Sequence, residues 1–219
     1  KNMRFPNAFS GVKKIWLAEI LMLLAAVIGI IMVIVIANNS IVTDDVIVFN
    51  EGAAGTPVSI LGIASAVIAL LAFILNLVGL IIARKDDSGF KIALFVTILG
   101  VIASAISAIW STNAGLVKWM DTLTTIFSMF ASYYVLTGIA NLADQIPDAA
   151  TKALALKSRT LVEGSFCLTV IFKLIINIFN IQNGSTIYTI LAVVAMLLEL
   201  VSYILYLRAL SKGKQMLAK

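Results

Sequence analysis

Two charged residues lie inside long apolar runs of this sequence, and they are the strongest candidates for chemistry. Lys173 is 12 residues beyond the start of the run 161–181, and Glu199 is 8 residues before the end of the run 186–207. At about 1.5 Å per helical residue, they would lie roughly 18 Å and 12 Å from the same membrane boundary. A flexible lysine side chain can span the remaining ~6 Å. The sequence therefore predicts an ion pair between Lys173 and Glu199.

This predicted pair has two interpretations, and the sequence leaves both open. It could be structural, clamping two neighbouring helices, or it could belong to a site that binds or couples a solute, because charged groups at membrane depth are costly and usually functional. Helical spacing places further polar residues beside it: two asparagines share a face with Lys173, and two serines lie with Asp121 and Thr125 on one face of the preceding run. The same polar faces could instead hydrogen-bond only to one another. The predicted substrate site consists of Lys173, Asn177, Asn180, Glu199, Ser128 and Ser132.

Other kinds of chemistry find little support in these residues. The chain has no histidine and one cysteine, Cys167, which removes imidazole metal sites, the commonest general base and an intrachain disulfide. Walker A, GxSxG, CxxC and HExxH patterns do not occur in it. We therefore expect no catalytic residues, no metal site, no cofactor and no enzymatic activity.

The elements that must position these residues are membrane-spanning helices. The chain has 219 residues, of which 61% are hydrophobic and 12% are charged, whereas a soluble domain has about a quarter charged. Apolar runs of 18 or more residues are long enough to cross about 30 Å of hydrocarbon. We predict an all-α fold, a single membrane domain over residues 1–219. Its six predicted spans are 15–37, 58–83, 92–109, 122–143, 161–181 and 186–207.

The basic residues alternate across these spans. Counted from the N-terminus, the segments outside the spans carry 4, 0, 3, 1, 3, 0 and 4 lysines and arginines. By the positive-inside rule both termini are cytoplasmic, and we expect a bacterial cytoplasmic membrane. The net charge of +5 then reflects topology and attraction to anionic headgroups. Nucleic acid is not an expected partner, because no basic run is interleaved with aromatic residues.

Small residues recur at steps of three and four along the second span, from Gly62 through Ser65 to Ala83, and along the third, from Ala93 to Ser111. Such rows permit close approach of two helix backbones in a membrane. We predict that the two rows pack against each other in an antiparallel hairpin. Its sequence, LNLVGLIIARKDDSGFKIALFVTILGVI, is similar to a two-span unit of small bacterial membrane proteins, a resemblance that implies no activity.

Two loops are long enough to have structure of their own. Loop 38–57 contains the β-branched residues 46–48 and could form a short strand or a lid on the outer face. Loop 144–160 contains helix-forming residues and basic side chains, so we predict a helix lying along the inner membrane surface.

Together these patterns predict a protein that binds or transports a solute, or the membrane subunit of a transporter, with its site among spans four to six. In its shape the predicted bundle is similar to the substrate-binding membrane subunits of vitamin importers, which is an analogy of architecture alone. The alternative is an accessory, regulatory or assembly protein that acts through helix contacts with a partner. The expected partners are the lipid bilayer, a small-molecule or ion substrate, and a membrane or ATPase partner subunit.

Overall fold

The computed structural model describes residues 4–38, 40–43, 46–49, 51–178 and 186–218. Helices dominate this part of the chain, as predicted, and a pair of short antiparallel strands lies between the first two. The elements of the described part are α1 (Pro6–Asn38), β1 (Ser40–Thr43), β2 (Val46–Phe49), α2 (Glu51–Ala83), α3 (Ser88–Ile109), α4 (Ala114–Gln145), α5 (Ala149–Ile178) and α6 (Thr186–Leu217).

Four of the described helices are long and apolar enough to cross a membrane, namely α1 to α4. Their large apolar side chains point outward in many places: Ile30, Ile63 and Phe95 are each at least 60% exposed. Outward branched and aromatic side chains suit contact with lipid, which is itself apolar. The fifth and sixth predicted spans include residues outside the described part, so they remain predictions.

Helices α1 to α5 begin earlier than the predicted spans, and at α3 and α4 a polar cap, and not an apolar residue, marks the start. The side chain of Asp87 accepts a hydrogen bond from the backbone N–H of Gly89 at 2.7 Å, and α3 begins at Ser88. Asn113 caps α4 by accepting from the N–H of Leu116 at 3.1 Å. Such side chains satisfy N–H groups that have no partner within the helix.

The helix predicted within residues 144–160 is present, but it is continuous with span five and is not a separate helix of a loop. Helix α4 continues to Gln145, and α5 begins at Ala149 after a three-residue turn. The Asp148 side chain caps α5, accepting from the N–H of Thr151 at 2.9 Å. Residues 149–160 are therefore the first three turns of α5, and Ala155 and Ser158 are buried within the bundle.

One compact unit contains residues Lys1–Lys13 and Gly79–Lys219. Its apolar core lies where α3 and α5 begin and α4 and α6 end. A Cβ added to Gly138 of α4 would lie 2.8 Å from the ring of Phe90 of α3, and one added to Gly213 of α6 would lie 3.0 Å from Ile139 of α4. These glycines let the helices approach closely enough to bury both neighbours fully.

The beginning of α1 belongs to the same unit and is attached to the α2–α3 turn. The carboxylate of Asp86 accepts hydrogen bonds from the Asn7 amide at 2.9 Å and from the backbone N–H of Ala8 at 2.6 Å. A Cβ on Gly11 would lie 2.5 Å from the carbonyl oxygen of Gly79, so only glycine fits at this crossing of α1 and α2.

A second compact unit contains residues Lys14–Val78, which form the rest of α1, the strand pair and most of α2. The strands pair in antiparallel register from Ser40 with Phe49 to Thr43 with Val46. The Ser65 hydroxyl of α2 donates to the carbonyl oxygen of Ala25 in α1 at 3.1 Å. The two helices of this unit thus meet at small residues.

The small-residue rows of α2 and α3 make helix contacts, and their described contacts are with helices other than the predicted partners. In α2, Ser65 and Gly79 face α1. In α3, the Cβ position of Gly100 lies 3.4 Å from Phe127 of α4, and the hydroxyl of Ser104 lies 3.4 Å from that of Thr124, also in α4. A row of small residues predicts close packing but does not specify the partner helix, because small side chains permit the close approach of any helix backbone.

Candidate functional site

The contact between α4 and α5 contains a row of basic residues. Lys152, Arg159 and Lys173 follow one another in α5 at spacings of 7 and 14 residues. Because 7 residues are nearly two helical turns, all three lie on one face of the helix. Each of them contacts a polar or aromatic side chain of α4, which runs antiparallel alongside.

Lys173 forms the polar cluster closest to the beginning of α4. Its ammonium nitrogen lies 2.8 Å from Oδ2 of Asp121 and 2.7 Å from Oγ1 of Thr125. The Thr125 hydroxyl donates in turn to the backbone carbonyl of Asp121 at 3.0 Å, which directs its lone pairs towards Lys173. The Lys173 side chain is 32% exposed and that of Asp121 is 64% exposed, so the pair is reachable from outside the bundle.

Arg159 forms a second cluster near the middle of α4. Its guanidinium carbon lies 4.9 Å from the ring centroid of Tyr133, an arrangement that attracts a cation to the aromatic face. Nη1 lies 3.4 Å from the hydroxyl oxygen of Thr137, which is at the long end of hydrogen bonding. The Nε atom is buried and has no hydrogen-bond partner. A buried donor without a hydrogen-bond partner costs about 1–3 kcal/mol. Arg159 is thus a cation whose described contacts are neutral and whose hydrogen-bond donors are not all used.

Lys152 forms the third contact, at the end of the helices. Its ammonium group bonds both oxygens of Asp144, at 2.6 and 2.7 Å. The lysine side chain is 39% exposed and the aspartate is 61% exposed. This pair joins the last turn of α4 to the first turn of α5 across the short connection.

Along the axis of α5, Arg159 lies about 10 Å beyond Lys152 and Lys173 about 21 Å beyond Arg159. Between the last two, the thiol of Cys167 lies 3.9 Å from the sulfur of Met129. The interface therefore alternates polar clusters with an apolar stretch. Among its described contacts, Arg159 meets only neutral groups, so the row carries an excess of positive charge that suits an anion.

The predicted site residues are only partly brought together. Lys173 contacts Asp121 and Thr125, which had been grouped with Ser128 and Ser132 on one face of span four. The Ser132 hydroxyl bonds to the carbonyl oxygen of Ser128 in its own helix, at 3.1 Å.

The remaining predicted members cannot be placed beside Lys173. The backbones of Asn177 and Glu199 lie in α5 and α6, but their side chains are outside the described residues, and so is the whole of Asn180. The pair of Lys173 with Glu199 therefore stays a prediction, and its described partners are those on α4.

Sequence reasoning missed the cluster around Arg159. Because residues 144–160 were assigned to a loop, Arg159 was counted among the basic residues of the inner side and of the predicted surface helix, and not as part of a site. The seven-residue spacing from Lys152 to Arg159, repeated twice to reach Lys173, was the pattern that could have revealed their common face. The aromatic partner, Tyr133, gives no comparable signal in the sequence.

Comparison with protein-family models, curated proteins and solved structures found no match for this chain.

Proposed function

We propose that this protein is a multi-pass membrane protein that binds and transports a small anionic solute through the α4–α5 interface. The proposal places it in a bacterial cytoplasmic membrane with both termini in the cytoplasm, on the basis of the alternating basic residues. The observation that carries it is the contact of Lys173 with Asp121 and Thr125. We propose that Lys173 lies within a membrane span, where a charged side chain is costly and is usually functional.

The chemistry of the row favours an anion over a cation. Within the described residues, Lys173 uses two of its three ammonium hydrogens, one on a hydroxyl and one on a carboxylate. Arg159 has a buried nitrogen without a partner and faces neutral groups. An anion at Lys173 would compete with the carboxylate of Asp121, and an anion near Arg159 would satisfy donors that are now unused.

The order of the clusters suggests how a solute would move. The cluster at Lys173 lies roughly 10–16 Å from the beginning of α4, and Arg159 lies roughly 15 Å from the beginning of α5. The two clusters therefore lie towards opposite ends of the antiparallel pair α4 and α5. Lys173 and Arg159, about 21 Å apart along α5, would be two cationic binding positions. An anion could bind from either side of the membrane and pass from one to the other when the helices separate.

The test is binding of defined anions by the purified protein. The melting temperature is measured in mild detergent with sodium acetate, phosphate or sulfate, at a sodium concentration matched with sodium chloride. Ligand at a hundred times its Kd stabilises a protein by about 2.7 kcal/mol. We expect at least one anion to raise the melting temperature above the chloride baseline.

Three variants make this measurement specific. Lys173→Gln and Arg159→Gln should each lose the stabilisation by the anion. Lys157→Gln should retain it, because Lys157 is an exposed lysine of the same helix that is outside the row. Equal anion stabilisation in all three variants, or no anion distinct from chloride, would contradict the proposal.

A further inference from the structure

A cavity of about 460 Å³ opens between the first turns of α5 and the last turns of α6, away from the row of Lys173 and Arg159. Its wall on α6 includes Arg208 and Lys212, both exposed. Its floor includes the side chain of Met216, which is 1% exposed. The cavity thus combines a cationic wall with an apolar base.

Arg208 and Lys212 are placed so that both can contact one ligand in the cavity. Arg208 and Lys212 are four residues apart in one helix, so their side chains are neighbours on its surface. Like charges at this spacing repel each other, and an anion between them removes the repulsion. Gln215, also in the lining, adds amide hydrogens that can donate to an oxygen ligand.

One carboxylate, that of Asp148, also lines the cavity. It is engaged at the beginning of α5, where it accepts a hydrogen bond from the N–H of Thr151 at 2.9 Å. With Arg208 and Lys212 opposite it, the formal charge of the lining is two positive and one negative. A ligand with a single negative charge would neutralise the cavity.

The position of the cavity along α6 indicates where such a ligand would come from. Arg208 and Lys212 are 22 and 26 residues beyond Thr186, the first residue of the helix. At about 1.5 Å per residue this is roughly 33 and 39 Å, just beyond a hydrocarbon core of about 30 Å. Phospholipid headgroups occupy this depth, and basic pockets between helices at the cytoplasmic boundary bind anionic ones.

We propose that this cavity binds the phosphate group of an anionic membrane phospholipid, held by Arg208 and Lys212 above the apolar floor. The arginine presents a planar set of donors that can bind two phosphate oxygens at once, and the lysine adds a point charge. The inference uses none of the α4–α5 contacts of the proposed transport function, and it rests on that proposal only for the placement of α6 across the membrane.

The experiment is a lipid titration of the full-length protein in detergent, followed by native mass spectrometry. Dioleoyl phosphatidylglycerol is the probe, and dioleoyl phosphatidylcholine, which has the same tails and no net charge, is the control. We expect one phosphatidylglycerol to bind at lower concentration than any phosphatidylcholine. Inorganic phosphate and glycerol 3-phosphate, added separately at the same concentrations, distinguish a lipid from a free phosphate ligand.

Substitutions locate the bound lipid. Arg208→Gln and Lys212→Gln should each weaken phosphatidylglycerol binding about fivefold, which corresponds to the usual attraction per basic residue at an anionic surface. The double variant should weaken it about 25-fold if the two contributions add. Arg208→Lys should retain most of the binding, because it preserves the charge, and Lys157→Gln should not change it.

Several results would overturn the proposal. They are equal binding of phosphatidylglycerol and phosphatidylcholine, displacement of the lipid by the free phosphates at equal concentration, and an equal loss in Lys157→Gln. Because Arg208 and Lys212 are exposed, their variants should melt at the wild-type temperature. A loss of binding that follows a loss of folding in both Arg208→Gln and Arg208→Lys would also count against the cavity.

Discussion

Helices α1 and α2 meet through small residues between positions 14 and 78, whereas α4 and α5 meet through charged and polar ones. In the first region, the Ser65 hydroxyl bonds to the backbone of Ala25, and Gly62 lies against Met32. In the second, Lys173 contacts a carboxylate and a hydroxyl, and Arg159 stacks on an aromatic ring. The comparison separates two ways in which membrane helices can be held together.

The difference lies in what each contact costs. A small-residue contact gains dispersion energy and buries no charge, so it is sufficient for association alone. A charged contact at membrane depth must offset the loss of hydration, and such residues persist mainly where binding or coupling requires them. This contrast is why we propose the solute site at the α4–α5 contact and only a packing role for the contact of α1 with α2.

A large effect is expected from enlarging a glycine that packs against a fully buried aromatic ring. In Gly138→Leu, the first added carbon would lie 2.8 Å from the fully buried ring of Phe90. Overpacking of this kind costs about 3 kcal/mol. In Gly62→Leu the nearest atom, the sulfur of Met32, is 3.7 Å away and belongs to a flexible side chain.

We expect a loss of about 1 kcal/mol or less for Gly62→Leu. The two variants are matched, because both replace a helical glycine and gain the same helix propensity. Thermal unfolding in detergent measures both. Equal losses would mean that α2 is packed as tightly at Gly62 as α4 is against Phe90 of α3, contrary to the looser packing expected of the α1–α2 contact.

An intermediate effect is expected from breaking the contact at Lys173. Lys173→Met leaves the carboxylate of Asp121 without its cation, and Asp121→Asn leaves the cation without its carboxylate. Because both side chains are partly exposed, we expect each to cost about 1–2 kcal/mol, less than the 3–5 kcal/mol of a fully buried pair. The double variant should recover most of this loss. Strictly additive losses in the unfolding free energy would show that the two groups do not interact.

The smallest effect is expected at Lys152 and Asp144, at the end of the same interface. Their distance is shorter than that of the Lys173 pair and their exposure is similar. We expect a smaller coupling because Lys152 lies at the end of the helices, outside the proposed membrane span, where exposed ion pairs usually contribute only 0–1 kcal/mol. The cycle of Lys152→Met and Asp144→Asn should give a coupling of about 0.5 kcal/mol that decreases as salt is added. A coupling as large as that at Lys173 would mean that position along the helix does not matter.

Some of this architecture could be read from the sequence, and the limits have physical causes. Apolar runs are sufficient to predict helices. For the β-branched residues 46–48 the sequence left a strand and a lid as alternatives, and the structure has a strand, Val46–Phe49. The beginnings of the helices depend on single polar caps such as Asp148, which hydropathy does not register. Without that cap, the helix predicted within residues 144–160 was separated from span five, and the contact of Arg159 with Tyr133 was missed.

It was harder to predict which helix a residue contacts than to predict that it makes a helix contact. The small residues of α2 were correctly assigned to a helix contact, but they face α1, because a small surface accepts any neighbouring backbone. Lys173 was singled out by its depth, and its described partner came from α4. The depth of a residue within a span can be counted along the sequence. Which of two neighbouring helices the residue contacts depends on how the helices pack, and the sequence does not show this directly.

Anion binding by the double variant Lys173→Met/Asp121→Asn is the most direct test of the role of Lys173. Its recovered stability separates loss of the site from loss of the fold, and the probe is whichever of acetate, phosphate or sulfate stabilises the wild-type protein. We predict that this anion no longer raises the melting temperature of the double variant above the chloride baseline. Stabilisation equal to that of the wild type would contradict the account, because Lys173 would then only clamp α5 to α4.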